Sequence, residues 1–272
     1  MNFNDKLDKI VEKNNSLVCV GLDPDLDKLP GQFKTVDDGF YEFCKAIVDA
    51  THDLVCAYKP NPAFFEAQGS IGIKNLEKIC SYIHENYPQI PIIYDCKRGD
   101  IGNTNTAYAI SAFEHLQVDA VTLHPYFGKS SLQPFLDYKD KGMIIMIKSS
   151  NQGSGELQDL SVGDLRLFEH VSKQAKDNWN DNGNIVLMVG ATYPEELASV
   201  RRIAGDNMQI LVPGVGAQGG VAEMLKAGLN NEGKGLIINS SRSILYASSR
   251  EDFAQAVRTE TEKLRTQINK FR

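Results

Sequence analysis

Between Pro91 and Thr104 the chain runs Pro-Ile-Ile-Tyr-Asp-Cys-Lys-Arg-Gly-Asp-Ile-Gly-Asn-Thr, which crowds Asp95, Lys97 and Asp100 into one short stretch. Ile92, Ile93 and Tyr94 have the β-branched and aromatic character of a buried strand, and Gly99 and Gly102 mark the turn after it. Side chains alternate along a strand, so Asp95 and Lys97 are expected on one face, and the turn at Gly99 could fold Asp100 back toward them. Two carboxylates around an ammonium favour its charged form and make a further anion unwelcome. That combination suits expulsion of an anionic group followed by donation of a proton. Taken alone, the same residues fit a surface ion pair at a strand end just as well.

The rest of the chain supplies the elements that would position them. An amphipathic helix over about 3–13 leads to the apolar strand Leu17–Asp23. Helical patterns at Val36–His52, Ile73–Asn86 and about 104–116 alternate with strand patterns at Leu54–Lys59, 91–96 and Val118–Leu123. Further helices at about 130–138, 163–178, 194–203, 219–227 and 250–270 alternate with strands at Gly142–Ser149, Ile185–Gly190, Gln209–Pro213 and Gly235–Asn239. Eight continuously apolar strands, each followed by a helix, call for a parallel sheet buried on both faces. A doubly wound open sheet competes, but even units with no linker favour a single-domain (β/α)8 TIM barrel over residues 1–272, with an extra N-terminal helix.

Composition narrows the function. The 272 residues are 42% hydrophobic and 24% charged, ordinary for a globular chain, and the formal charge of −6 argues against a nucleic-acid surface. No apolar run is long enough for a bilayer, and Met1–Lys13 lacks the apolar centre of a signal peptide, so we expect a cytoplasmic protein with no membrane contact. Cys19, Cys44, Cys56, Cys80 and Cys96 form no Cys-x-x-Cys pair and are expected as reduced core residues, neither bridges nor metal ligands.

In such a barrel chemistry gathers where strands end. Those ends offer Asp23, Lys59, Asp95, Lys97, Asp100, His124, Ser149, Ser150, Gly216–Gly220 and Arg242. So many alternating charges on one rim are hard to explain as incidental surface pairs. Val212–Gly220 contains a literal G-x-G-x-x-G between a strand and a helix. A dinucleotide site would normally use the first such unit and an acid at the end of the next strand, whereas here the motif is seventh and the next strand ends Asn239-Ser240-Ser241-Arg242. Glycines after the seventh strand and an arginine after the eighth fit a barrel phosphate site, with Gln218 and Arg242 as side-chain donors.

These residues resemble orotidine 5′-phosphate decarboxylases, in particular the longer bacterial branch. The similarity rests on Asp95-x-Lys97-x-x-Asp100-Ile101-x-Asn103-Thr104 and on Pro213-Gly214-Val215-Gly216-Ala217-Gln218-Gly219-Gly220. It is reinforced by Asp23 in Gly-Leu-Asp-Pro-Asp, Lys59 in Tyr-Lys-Pro-Asn-Pro and Ser149 in Lys-Ser-Ser-Asn-Gln-Gly-Ser, and it runs from about Leu17 to Tyr246. Gln152 departs from the proline expected in that branch. The resemblance implies loss of CO2 from orotidine 5′-phosphate to give UMP, with no metal and no organic cofactor. Lys97 would protonate C6, Asp95 would face the substrate carboxylate, and Lys59 and Asp23 would hold the ribose. Ser149 would meet the pyrimidine amide edge, while Gln218 and Arg242, with Pro213 and Gly219 beside them, hold the phosphate. Ile101 and Thr104 join the substrate-binding set, and Asp100 and Ile101 would reach the partner site of a homodimer.

Three rivals remain at this stage. A sugar-phosphate decarboxylase of the same wider group would need Mg2+ held by a second-strand acid, where Lys59 stands. An NADP-dependent dehydrogenase rests on the glycine match alone, and a non-catalytic nucleotide-binding barrel would bind UMP without releasing CO2. His124 has no evident acid or metal partner, and the other histidines, His52, His84, His115 and His170, fall on helices as solvated or capping residues. Glu66 could brace Lys59 or simply follow a buried Phe64–Phe65 pair, and we expect the latter. Trp179, just past its helix, is expected to pack.

Overall fold

The computed structural model describes residues 1–215 and 221–272. Eight parallel strands form one sheet: β1 Val18–Leu22, β2 Ala57–Pro60, β3 Ile93–Arg98, β4 Ala120–Leu123, β5 Gly142–Lys148, β8 Ile185–Val189, β9 Ile210–Pro213 and β10 Leu236–Ser240. Their order, β2-β1-β10-β9-β8-β5-β4-β3, is that of a barrel, and β2 is joined to β3 by the single parallel bridge Tyr58↔Ile92. This is the expected (β/α)8 architecture. Val18, Val121, Ile145, Leu187, Leu211 and Ile237 are all fully buried, as strands lined inside by side chains and covered outside by helices must be.

The N-terminal helix, Phe3–Asn14, closes the barrel's lower end. Asn2 caps it by accepting from the Asp5 amide at 2.9 Å, and Phe3, Leu7, Ile10 and Val11 form its buried stripe. Phe3 lies against Gly142, where a Cβ would come within 2.6 Å of the ring, so the start of β5 needs glycine. Lys6 pairs with Asp119 at 2.7 Å, and Asp119 also accepts from the Ile92 amide, tying helix, β3 and β4 together below the core. The five cysteines are free and buried, and burial pushes the Cys19 and Cys96 thiols up to about 12.

Several elements differ from expectation for local reasons. Leu54, Val55 and Cys56 are buried ahead of β2 but outside it. The helix expected from 163 begins only at Leu167, because β6 Ser161–Val162 and β7 Leu165–Arg166 form an antiparallel hairpin across Gly163-Asp164. Gly163 has φ +62°, the positive value such a short connection requires. That helix continues through a π-turn, Ala175–Trp179, so Trp179 lies within its last turn and packs there, 8% exposed. A short helix at Pro62–Glu66, with proline in its first turn and Asn61 as cap, precedes the helix Gly69–Asn86.

Candidate active site

At the upper rim, β3 departs from regular pairing. Its register against β4 slips between Tyr94 and Arg98, and Lys97 takes φ +46°, a left-handed conformation that costs a lysine on the order of 1–3 kcal/mol. Thr122 of β4 offsets this by accepting from the Lys97 amide at 2.8 Å and donating to Asp95 Oδ1 at 3.0 Å. Gly99 lets the chain pass close to β4, since a Cβ there would stand 2.9 Å from that of His124.

The result is a compact charge array. Asp95 Oδ1 receives Lys97 Nζ at 2.6 Å and its Oδ2 receives Lys59 Nζ at 2.8 Å. Asp95 and Lys59 are 5% and 2% exposed, whereas the Lys97 side chain remains 35% open. Burial alone would raise the Asp95 pKa, but the ammoniums of Lys59 and Lys97 overcome it and hold the carboxyl well below the usual range. Burial would likewise discharge Lys59, yet Asp95 and then Asp23 drive its pKa upward. Asp95 and Lys97 therefore meet as the alternation expected, with the bulge as an added device.

Asp100 does not join them. Its carboxylate accepts from the neighbouring Ile101 amide at 2.7 Å, its main chain is held by Asn105, and it makes no ion pair among the described residues. The expected return of Asp100 toward the array after Gly99 produces no hydrogen bond or ion pair with Asp95 or Lys97 among the described residues. Ile101 is 64% exposed and Thr104 is exposed beside it.

A cavity beside the array is lined by Asp23, Lys59, Asp95, Pro213, Asn239 and Arg242, with Asp25, Lys28 and Tyr246 at its edge. Gly21 is required here, because a Cβ would collide with Ser241 Oγ. Tyr246 donates to the Asp23 carbonyl at 3.0 Å and accepts from the Asp25 amide at 2.7 Å, fixing the turn after β1. Asp23 Oδ1 and Asn239 Oδ1 are buried and have no partner among the described residues. Unpaired buried acceptors are costly, and a bound ligand's hydroxyls or waters would satisfy them. Arg242 is exposed at the cavity mouth and pairs with no carboxylate among the described residues. Gln218 and Gly219, with the rest of Gly216–Gly220, lie outside the described residues.

Ser149 follows β5 and stands away from the cavity lining. Its hydroxyl donates to Asn151 Oδ1 at 2.6 Å and accepts from Gln158 Nε2 at 2.9 Å. Glu66 reaches Arg98 at 3.3 Å and not Lys59, and Phe64, expected as half of a buried pair, is 38% exposed and lines the cavity while Phe65 is fully buried. His124 is exposed; partial burial and then Lys97 lower its pKa. Among the described residues, no group of three or more His, Cys, Asp or Glu side chains could hold a metal. Thr122 and Asn239 went unassigned in the sequence, although a polar residue inside an apolar strand was a usable signal for each.

The family model described as "Orotidine 5'-phosphate decarboxylase / HUMPS family" matches residues 16–257. An orotidine 5′-phosphate decarboxylase of Cellvibrio japonicus is 52% identical over 272 residues, covering 99% of this chain and 98% of its own. One from Dechloromonas aromatica is 50% identical over 273 residues, covering both chains completely. Among solved structures, Leishmania donovani OMP decarboxylase superposes with a TM-score of 0.86 at 40% identity, covering 100% of this chain and 98% of that one. Leishmania donovani UMP synthase superposes with a TM-score of 0.89 at 42% identity, over 100% of this chain and 56% of that one. With a family match over most of its length and relatives about half identical from end to end, the chain belongs to the orotidine 5′-phosphate decarboxylase / HUMPS family.

Proposed function

We infer that this chain is an enzyme that converts orotidine 5′-phosphate to UMP and CO2. The observation that carries the chemistry is the buried Asp95 carboxylate holding Lys97 at 2.6 Å and Lys59 at 2.8 Å beside an anion-ready cavity. In our reading the substrate carboxylate enters next to Asp95, whose negative charge is locked in place, and repulsion is relieved as CO2 departs. The C6–carboxylate bond breaks, its electron pair stays on C6, and Lys97 delivers a proton to that carbon. Solvent then restores the Lys97 proton. Asp23 and Lys59 take the ribose hydroxyls, Ser149 takes the pyrimidine amide edge, and Pro213, Gln218, Gly219 and Arg242 form the phosphate end. Binding energy gathered at the phosphate is thereby available for ordering the reacting end.

The reading extends to a homodimer in which Asp100 and Ile101 complete the partner site. Its support is that Asp100 makes no ion pair with its own array among the described residues and that Ile101, Ile110, Tyr126 and Phe127 are exposed. We take residues 1–272 as one domain, because a single core of buried side chains runs from Phe3 to Ile268. The cytoplasm is the proposed location; no helix among the described residues is long and apolar enough to cross a membrane. A metal-dependent sugar-phosphate decarboxylase is disfavoured because the Lys59 ammonium fills the place of the acid that would hold the cation. Following ultraviolet absorbance as purified protein consumes orotidine 5′-phosphate, with and without EDTA, tests the assignment. Loss of activity in EDTA, or UMP binding without CO2 release, would overturn it.

A further inference from the structure

Lys148, the last residue of β5, is 1% exposed and takes no part in the Asp95 array. The register of β5 against β8 slips between Met146 and Lys148, and this irregularity lies where Lys148 turns into the protein. Its ammonium meets Asp159 Oδ1 at 2.7 Å and lies 4.9 Å from the Tyr193 ring centroid and 5.9 Å from that of Phe168. Burying an ammonium against one half-exposed carboxylate is a poor way to gain stability, since an apolar side chain of similar size would fill the space without the desolvation cost.

What the pair does is fix a loop. The segment from Ser149 to Asp159 leaves β5 and returns to it, and each of its other ties draws it to the same place. Gln158 accepts from the Ser149 amide at 2.9 Å and donates to its hydroxyl at 2.9 Å. The Tyr193 hydroxyl lies 3.1 Å from Ser154 Oγ and donates to the Asn151 carbonyl at 3.4 Å, so the residue whose ring covers Lys148 also grips the loop. We propose that the Lys148–Asp159 ion pair is a latch that sets this loop for recognition of the nucleobase, which makes Lys148 a positioning residue. The proposal rests on the reading above that Ser149 meets the pyrimidine.

The test measures binding to the full-length protein by calorimetry, with UMP as the base-bearing probe and ribose 5-phosphate as the probe without a base. Lys148→Met should weaken UMP roughly tenfold or more, as expected for a displaced contact. Ribose 5-phosphate affinity should stay level, and the thermal midpoint should not fall. Equal losses for both ligands, or unchanged UMP affinity, would overturn the latch. Should Lys148→Met not fold, Tyr193→Phe keeps the ring and removes its hydroxyl ties; it should weaken UMP selectively by about threefold. An unchanged ratio of the two affinities in that variant also overturns the proposal. Because binding is read and not turnover, a wild-type protein that prefers UMP but releases no CO2 would refute the decarboxylase assignment and still leave the latch decided.

Discussion

The two sides of the cavity are built on opposite plans. On the β2–β3 side the charges that line the array are paired inside the chain: Asp95 accepts from Lys59, Lys97 and Thr122. Across from it, Asp23 Oδ1 and Asn239 Oδ1 have no partner among the described residues, and Arg242 is exposed at the mouth. One side is set within the chain, and on the proposed reading the other is completed by a ligand. Preorganised charge belongs where electrons move, because rearranging it during the reaction would add to the barrier. Loose, unpaired groups belong where binding energy is collected.

The largest predicted effect separates the two sides outright. Lys97→Ala should reduce turnover on the order of 10²–10⁴-fold, the scale of a lost proton donor. UMP affinity, measured by calorimetry, should survive, and a parallel loss of affinity would break the distinction. Next, Asp95→Ala strands the buried Lys59 ammonium and should destabilise the fold by about 3–5 kcal/mol in urea unfolding. Arg242→Ala should leave the urea midpoint unchanged and raise KM roughly 10–100-fold, the range of a charged hydrogen bond. Equal destabilisation by these two substitutions would show that the sides are not built differently.

Two smaller effects sharpen the contrast. Mixed dimers of Asp100→Ala and Lys97→Ala chains should recover part of the activity that neither parent shows, as measured on purified heterodimer; none would return if each chain supplied its own Asp100. The Asp95 pKa is depressed on folding, so its stabilising contribution is complete above the unfolded value of about 3.9 and is lost as pH falls through the lower, folded value. The stability difference between wild type and Asp95→Asn should accordingly be flat from about pH 8 to 5 and shrink only in stronger acid. A difference that shrinks near neutrality would contradict the pairing.

The barrel was legible because its strands are apolar without interruption, a pattern that demands burial on both faces. Asp95 and Lys97 were legible from spacing, since two residues apart on a strand is one face. The left-handed turn at Lys97 was not, because it depends on Thr122 of the next strand and on the close pass of Gly99 under His124. The local setting of Asp100 was not legible for a related reason: Asn105 holds its main chain, and Asn105 is itself anchored to the Ser131 carbonyl. Ser149 was found by position at a strand end, yet its link to Gln158 lies in a loop whose fold no periodicity encodes. Lys148 was visible as the charge that ends the apolar run Met143–Ile147, but nothing in the sequence told that it is buried.

The single main-chain bridge between β2 and β3, Tyr58↔Ile92, is the thinnest seam of the ring, and Lys59 and Asp95 stand immediately beyond it. Their ion pair is therefore a hasp across the joint as well as part of the proposed reaction centre. Prising the cylinder open at this place requires pulling opposite charges apart in a dry interior. Assembly of the chemistry and closure of the architecture are in that sense one event, and a chain that has closed its ring here has already armed itself.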